Sequence, residues 1–296
     1  MIEKITLQSR ILNTFHQAIV YIPDAFCHIS SNLPVLYLFR GKSEEWFEKP
    51  EERGGRALFY VVEDLISKGY MQPLAIVCPD ICDENGKIFS CGFDLKALLD
   101  RDIPGIGSGN FRDFFIAEFF PWIENKFSFA GKAHLRAIGG FSLGSLTAFS
   151  LAFTRPELFS VLSSYDGSFL FWYYDHPEGT GPQENDLRLD LFPYWFGLPP
   201  DLEHFRRHNP FDILYWADGD EAKAIARLKI FQHCANETHI TANNWREARM
   251  AQILKDYGMD NQFKSLCLHP NAKHNWYWVD EHLYRLLPPL SKILNQ

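Results

Sequence analysis

Residues 140–144 read Gly-Phe-Ser-Leu-Gly, which sets Ser142 between two glycines. A serine hydroxyl at its ordinary pKa attacks an acyl carbon poorly. It becomes a nucleophile when a histidine takes its proton and a carboxylate holds that histidine. The surroundings of Ser142 suit that use. An apolar strand-like run, Leu135 to Gly139, leads into the motif, and a small-residue helical pattern, LGSLTAFSLAF, leaves it. Strand, tight turn and helix together lift a serine above a strand end. The flanking glycines permit the turn without Cβ clashes. The Leu143 amide, at the helix start, then points where a tetrahedral oxyanion would form. A Gly-rich turn carrying a solvated serine needs none of this context.

The base and acid belong downstream, in the order serine, acid, histidine. Two histidines stand in LHPNAKHNWYW, and His274, in the loop proper, is favoured over His269 at the strand end. Glu237 in CANETH is the first carboxylate past the strand-like LKIFQHC, and it is preferred as the acid. Asp166, after the preceding strand, is its rival, while Asp218 and Asp220 read as turn and cap residues. A second oxyanion donor is expected from the loop RGKSEEW, through the amide of Gly41 or Lys42. Arg40 in that loop suits either a structural ion pair or an anionic group on a substrate. Aromatic residues farther on, including Phe169, Phe171, Trp172, Tyr173, Tyr194 and Trp195, suit either an acyl or aryl pocket or plain packing.

Positioning these groups requires a sheet. ITLQSRILNTFHQAIVYIP alternates polar and apolar residues and predicts two antiparallel strands around a turn near Asn13. NLPVLYLFRG, PLAIVCPD, HLRAIGGFS, LFSVLSSYDG, RLKIFQHCANE and FKSLCLHP predict further strands. Between them, ALFYVVEDLISKGY, LGSLTAFSLAFTRP and NNWREARMAQILKDYG have helical periodicity, and WVDEHLYRLLPPL begins a closing helix. NFRDFFIAEFFPWIENKF is amphipathic and is expected to kink or break at Pro121. Alternating strands and helices argue for an α/β fold with a mostly parallel, doubly wound sheet. Helices cover both faces, and antiparallel N-terminal strands sit at one edge. Residues 1–296 read as one domain, with an aromatic-rich insertion at about 167–215 covering the site.

A net charge of −8 without a Lys/Arg-rich run argues against a nucleic-acid partner. No stretch has the ~18 apolar residues of a membrane span, and MIEKITLQSR lacks the apolar core of a signal peptide. Six scattered cysteines without a CxxC pair suggest neither a disulfide framework nor a metal site, and they favour a reducing, cytoplasmic setting. No metal or cofactor is implied. A small-molecule ester is the expected partner, and a homo-oligomer is left open.

In order along the chain, SRILNTFHQAIVYIP, LPVLYLFRG, YMQPLAIVCPD, FFIAEFFPWIENKF, AIGGFSLGSLTAFSLAFTRPELFSVLSSYDGSF, NPFDI and HNWYWVDEHL resemble the putative esterase family of α/β-hydrolases. That family includes esterase D/S-formylglutathione hydrolases, feruloyl esterases and enterochelin-type esterases. The resemblance implies a serine carboxylic-ester hydrolase working through an acyl-enzyme. By it, Ser142 matches the nucleophile, His274 the histidine before the aromatic pair, and Glu237 the acid position. The family's usual strand-end His-Gly is Arg40-Gly41 here. An acyltransferase with the same residues and a non-catalytic binding protein are the alternatives.

Overall fold

The structure, a computed structural model, describes residues 1–24, 33–96, 103–129, 131–171, 190–236, 243–259 and 266–296. Strands β1 (Ile2–Ser9) and β2 (Thr14–Tyr21) form an antiparallel hairpin. Asn13 turns it at a left-handed φ of 56°. β2 then pairs antiparallel with β4 (Ala75–Pro79). From there the pairing is parallel: β4 with β3 (Val35–Phe39), β3 with β5 (Arg136–Phe141), β5 with β6 (Val161–Tyr165), and β6 with β7 (Lys229–His233). The order across the seven-stranded sheet is β1-β2-β4-β3-β5-β6-β7, with the antiparallel pair at one edge.

Every residue of β3, β4, β5 and β6 is buried. Strands so fully buried need helices on both faces, and adjacent residues point into opposite cores. Tyr37 joins one cluster with Phe115, Phe149 and Ile138; Leu36 and Leu38 join the other with Val61, Leu283 and Leu287. The helices are α1 (Leu58–Ser67), α2 (Phe111–Phe114), α3 (Phe120–Lys126), α4 (Leu143–Thr154) and α5 (Phe192–Phe196). There follow α6 (Leu202–His208), α7 (Pro210–Trp216), α8 (Gly219–Ile225), α9 (Asn243–Asp256) and α10 (Trp276–Leu294). No helix among the described residues is long and apolar enough to cross a membrane.

Two local expectations change. The chain does not break at Pro121. A π-helical turn, Phe115–Phe119, joins α2 to α3 just ahead of Pro121, and the helix runs on past the proline. The strand expected over FKSLCLHP contributes, among the described residues, a single parallel bridge of Cys267 to Cys234.

Candidate active site

Ser142 lies between β5 and α4 with φ 57° and ψ −120°. A non-glycine residue there is strained, so the surroundings must hold it. Its N–H donates to the Tyr165 carbonyl at 3.1 Å, and its carbonyl accepts from Ser145 N at 3.0 Å and Ser168 N at 3.2 Å. Both glycines are required by space. A Cβ on Gly140 would lie 2.2 Å from the Gly144 carbonyl carbon, and one on Gly144 would lie 1.9 Å from the Phe39 carbonyl oxygen. This close approach sets the α4 N-terminus directly against the end of β3. Leu143 is the first residue of α4, so its N–H has no intrahelical partner.

Across the strand ends, His274 Nδ1 is hydrogen-bonded to Asp166 Oδ2. Asp166 follows β6 and is 2% exposed; it too has a left-handed φ, 50°. Its N–H donates to the His233 carbonyl at 2.9 Å, and its Oδ1 accepts from Ala235 N at 3.2 Å. Among the described residues the carboxylate on this histidine is therefore Asp166, the rival to Glu237, because the left-handed turn after β6 folds its carboxylate toward the His274 loop. Glu237 lies outside the described residues. The imidazole of His274 packs 4.6 Å from the ring of Phe141, the residue before Ser142, and Trp276 abuts that ring at 5.6 Å. Tyr165 donates its hydroxyl to the Lys273 carbonyl at 2.8 Å, which ties the loop down. His269 instead stacks on Trp278 and accepts from Asn271 N within its own turn.

Residues with no motif complete the setting. Ser168 Oγ lies 3.2 Å from Ser142 Oγ. Asn243, at the start of α9, donates from Nδ2 to Ser168 Oγ at 3.1 Å and to the Asp166 carbonyl at 3.0 Å. Glu247, one turn on, is fully buried beneath the Asp166 turn. It accepts from Ser164 Oγ, Gln232 Nε2 and the Gly167 amide. Burial pushes its carboxyl up to about 8 against the pull of those donors, with the Asp166 charge adding to the rise. Behind His274, Arg53 and Asp280 form a fully buried ion pair at 2.7 Å, and the Arg53 guanidinium lies 5.0 Å over Trp276. The only sequence signal for any of these is Asp-Gly-Ser at 166–168, just past a strand end.

The loop after β3 also differs in detail from expectation. The Lys42 amide donates to Glu45 Oε1 at 2.8 Å, capping a 3-10 turn, Ser43–Trp46. Gly41 is then the candidate for the second oxyanion donor. Arg40 places its guanidinium 4.8 Å over the Phe141 ring, with Nε 3.9 Å from Glu45 Oε2. Of the aromatics proposed for a pocket, Phe171 and Trp195 are core residues. Phe171 packs on Phe211, and Trp195 packs on Phe93 while donating its indole N–H to the Phe89 carbonyl. Both are buried among these neighbours. Trp172 and Tyr173 lie outside the described residues.

A parallel sheet that turns at its centre through a strained serine into a helix, with helices on both faces, defines an α/β-hydrolase fold. The chain belongs to the family described as "Putative esterase", whose profile matches residues 9–186, more than half of its length. Two curated esterases of Mycobacterium tuberculosis, from strains CDC 1551 / Oshkosh and ATCC 25618 / H37Rv, are each 28% identical over 148 residues. That alignment covers 50% of this chain and 28% of theirs, so the chain spans about a quarter of the length of these relatives. Among solved structures, a ferulic acid esterase superposes with a TM-score of 0.74 at 21% identity, covering 99% of this chain and 98% of that one. The S-formylglutathione hydrolase of Agrobacterium tumefaciens gives 0.68 at 17% identity, covering 99% and 95%. The enterochelin esterase of Shigella flexneri gives 0.62 at 15%, covering 100% and 59%. At these identities the superpositions establish the shared fold.

Proposed function

We propose that the protein is a serine hydrolase of carboxylic esters, working through an acyl-enzyme, with Ser142 as nucleophile, His274 as base and Asp166 as acid. The observation that carries this reading is the hydrogen bond of His274 to the buried Asp166, held against the residue preceding a serine in the strained turn between β5 and α4. Ser142 Oγ attacks the acyl carbon while His274 Nε2 takes its proton. Asp166 keeps the His274 proton on Nδ1 and stabilises the imidazolium that forms. The oxyanion is met by the Leu143 amide and by the Gly41 amide from the β3 loop; one such donor is worth ~3 kcal/mol of barrier. His274 then protonates the leaving alcohol. Water, activated by the same histidine, attacks the acyl-serine and restores the enzyme.

Family membership supports ester cleavage as the reaction. The aromatic-acid ester in the name of one structural neighbour makes an aryl-acyl ester a sensible probe beside simple ones. The test is hydrolysis of p-nitrophenyl esters of increasing acyl length, and of methyl ferulate, by the wild type and by Ser142→Ala. Turnover that vanishes in the variant supports the reading. Turnover that survives in Ser142→Ala refutes it.

A further inference from the structure

We propose that Ser168 and Asn243 form a hydrogen-bond relay that fixes which way the Ser142 hydroxyl points, making both positioning residues for the nucleophile. The inference deepens the nucleophile reading above and rests on it.

The direction of the relay follows from donor and acceptor chemistry. A backbone carbonyl only accepts, so the Asn243 side-chain atom 3.0 Å from the Asp166 carbonyl must be its amide nitrogen. That same nitrogen lies 3.1 Å from Ser168 Oγ. Ser168 Oγ therefore accepts from Asn243 and keeps its own proton to give. Ser142 Oγ, 3.2 Å away, is the acceptor within reach among the described residues. Once Ser142 accepts from Ser168, its own proton is free to point to the imidazole of His274. With the relay reversed, Ser142 would donate to Ser168 and its proton would face away from the base. The arrangement is rigid: Ser168 is 2% and Asn243 1% exposed, and the Ser168 amide donates to the Ser142 carbonyl at 3.2 Å. A donor aimed at Ser142 Oγ also favours the oxyanion character that the oxygen gains as its proton leaves.

Three variants test this, with p-nitrophenyl acetate as substrate and the acylation burst and steady-state kcat and KM as readouts. Ser168→Ala removes the donor. Its acylation rate is expected to fall about tenfold, a loss of ~1.4 kcal/mol, with the substrate dissociation constant read from the burst phase and the thermal midpoint unchanged. Ser168→Thr keeps the hydroxyl and is expected to restore most of the rate. Asn243→Asp places a carboxylate oxygen where the amide nitrogen donated, so Ser168 turns its proton to the aspartate. The rate then falls as in Ser168→Ala, and combining the two changes adds little further loss. Ser168→Ala or Asn243→Asp acylating at the wild-type rate would overturn the relay while leaving Ser142 as nucleophile. A Ser142→Ala protein with wild-type turnover would overturn the nucleophile reading and the relay with it.

Discussion

Replacing Asp166 by asparagine isolates the role given to the acid. The aspartate uses both oxygens: Oδ2 faces His274 Nδ1, and Oδ1 accepts from Ala235 N at 3.2 Å. Asparagine has a single acceptor oxygen. If it serves the Ala235 amide, the new NH2 group faces Nδ1 and drives the imidazole proton to Nε2, the atom that must accept from Ser142. The base is then blocked, and the imidazolium formed during attack has no counter-charge. A tautomer error of this kind costs about 10³ to 10⁴ in kcat, or ~4–5.5 kcal/mol at 1.36 kcal/mol per decade. The side chain is buried and near-isosteric, so the fold should persist. Steady-state hydrolysis of p-nitrophenyl acetate by Asp166→Asn and Glu237→Gln, with circular dichroism as a folding control, gives the comparison. The expected result is collapse in the first and near-normal turnover in the second. Asp166→Asn within about tenfold of wild type, or Glu237→Gln falling by the larger factor, would refute the assignment.

Two stability effects follow from buried charge and buried imidazole. Asp280→Ala strips the partner from Arg53, whose side chain has no exposure; an uncompensated buried charge costs about 3–5 kcal/mol, to be read from urea unfolding. A wild-type midpoint in that variant would show that the pair contributes nothing. His16 sits on β2 within 6.0 Å of the rings of Phe111, Phe114 and Phe119, and burial pushes it down to about 3. Its folded pKa lies below the unfolded value of about 6.5, so the unfolded chain binds a proton that the folded one refuses. Its contribution is complete above that value and is lost as pH falls toward about 3, at up to ~1.4 kcal/mol per pH unit. His16→Leu should flatten the acid limb of stability against pH by that slope, and an unchanged limb would contradict it.

How far the sequence alone reached depended on whether the physical cause was local. Gly140 and Gly144 stand two residues either side of Ser142, and the closeness of α4 to β3 demands them, so the turn and its flanking strand and helix were legible. The hydrogen-bond partner of His274 is legible only as the second choice, Asp166 behind Glu237. Asp166 lies 108 residues from it, and it arrives there through the end of β6 and a positive φ on a non-glycine residue, which leaves no mark in composition. Glu237 ranks ahead of it in the sequence because it comes first after the next strand and because the family resemblance sets the acid there. Arg53 and Asp280, 227 residues apart, were invisible as a pair. The many aromatics suit either a pocket or plain packing, and Phe171 and Trp195 are packed in the interior, since composition counts rings without saying which face solvent. Pro121 in the sequence predicts a kink or a break, and the π turn that lets the helix continue depends on the packing of Phe115 and Phe119 into the core.

The central claim is that Ser142 is an activated nucleophile. Its most direct test is intact-protein mass spectrometry after exposure to a fluorophosphonate, followed by peptide mapping, for wild type and Ser142→Ala. The account predicts one adduct per chain, mapped to Ser142 and absent from the variant. Unmodified wild type, or an adduct on another residue that persists in Ser142→Ala, would contradict it.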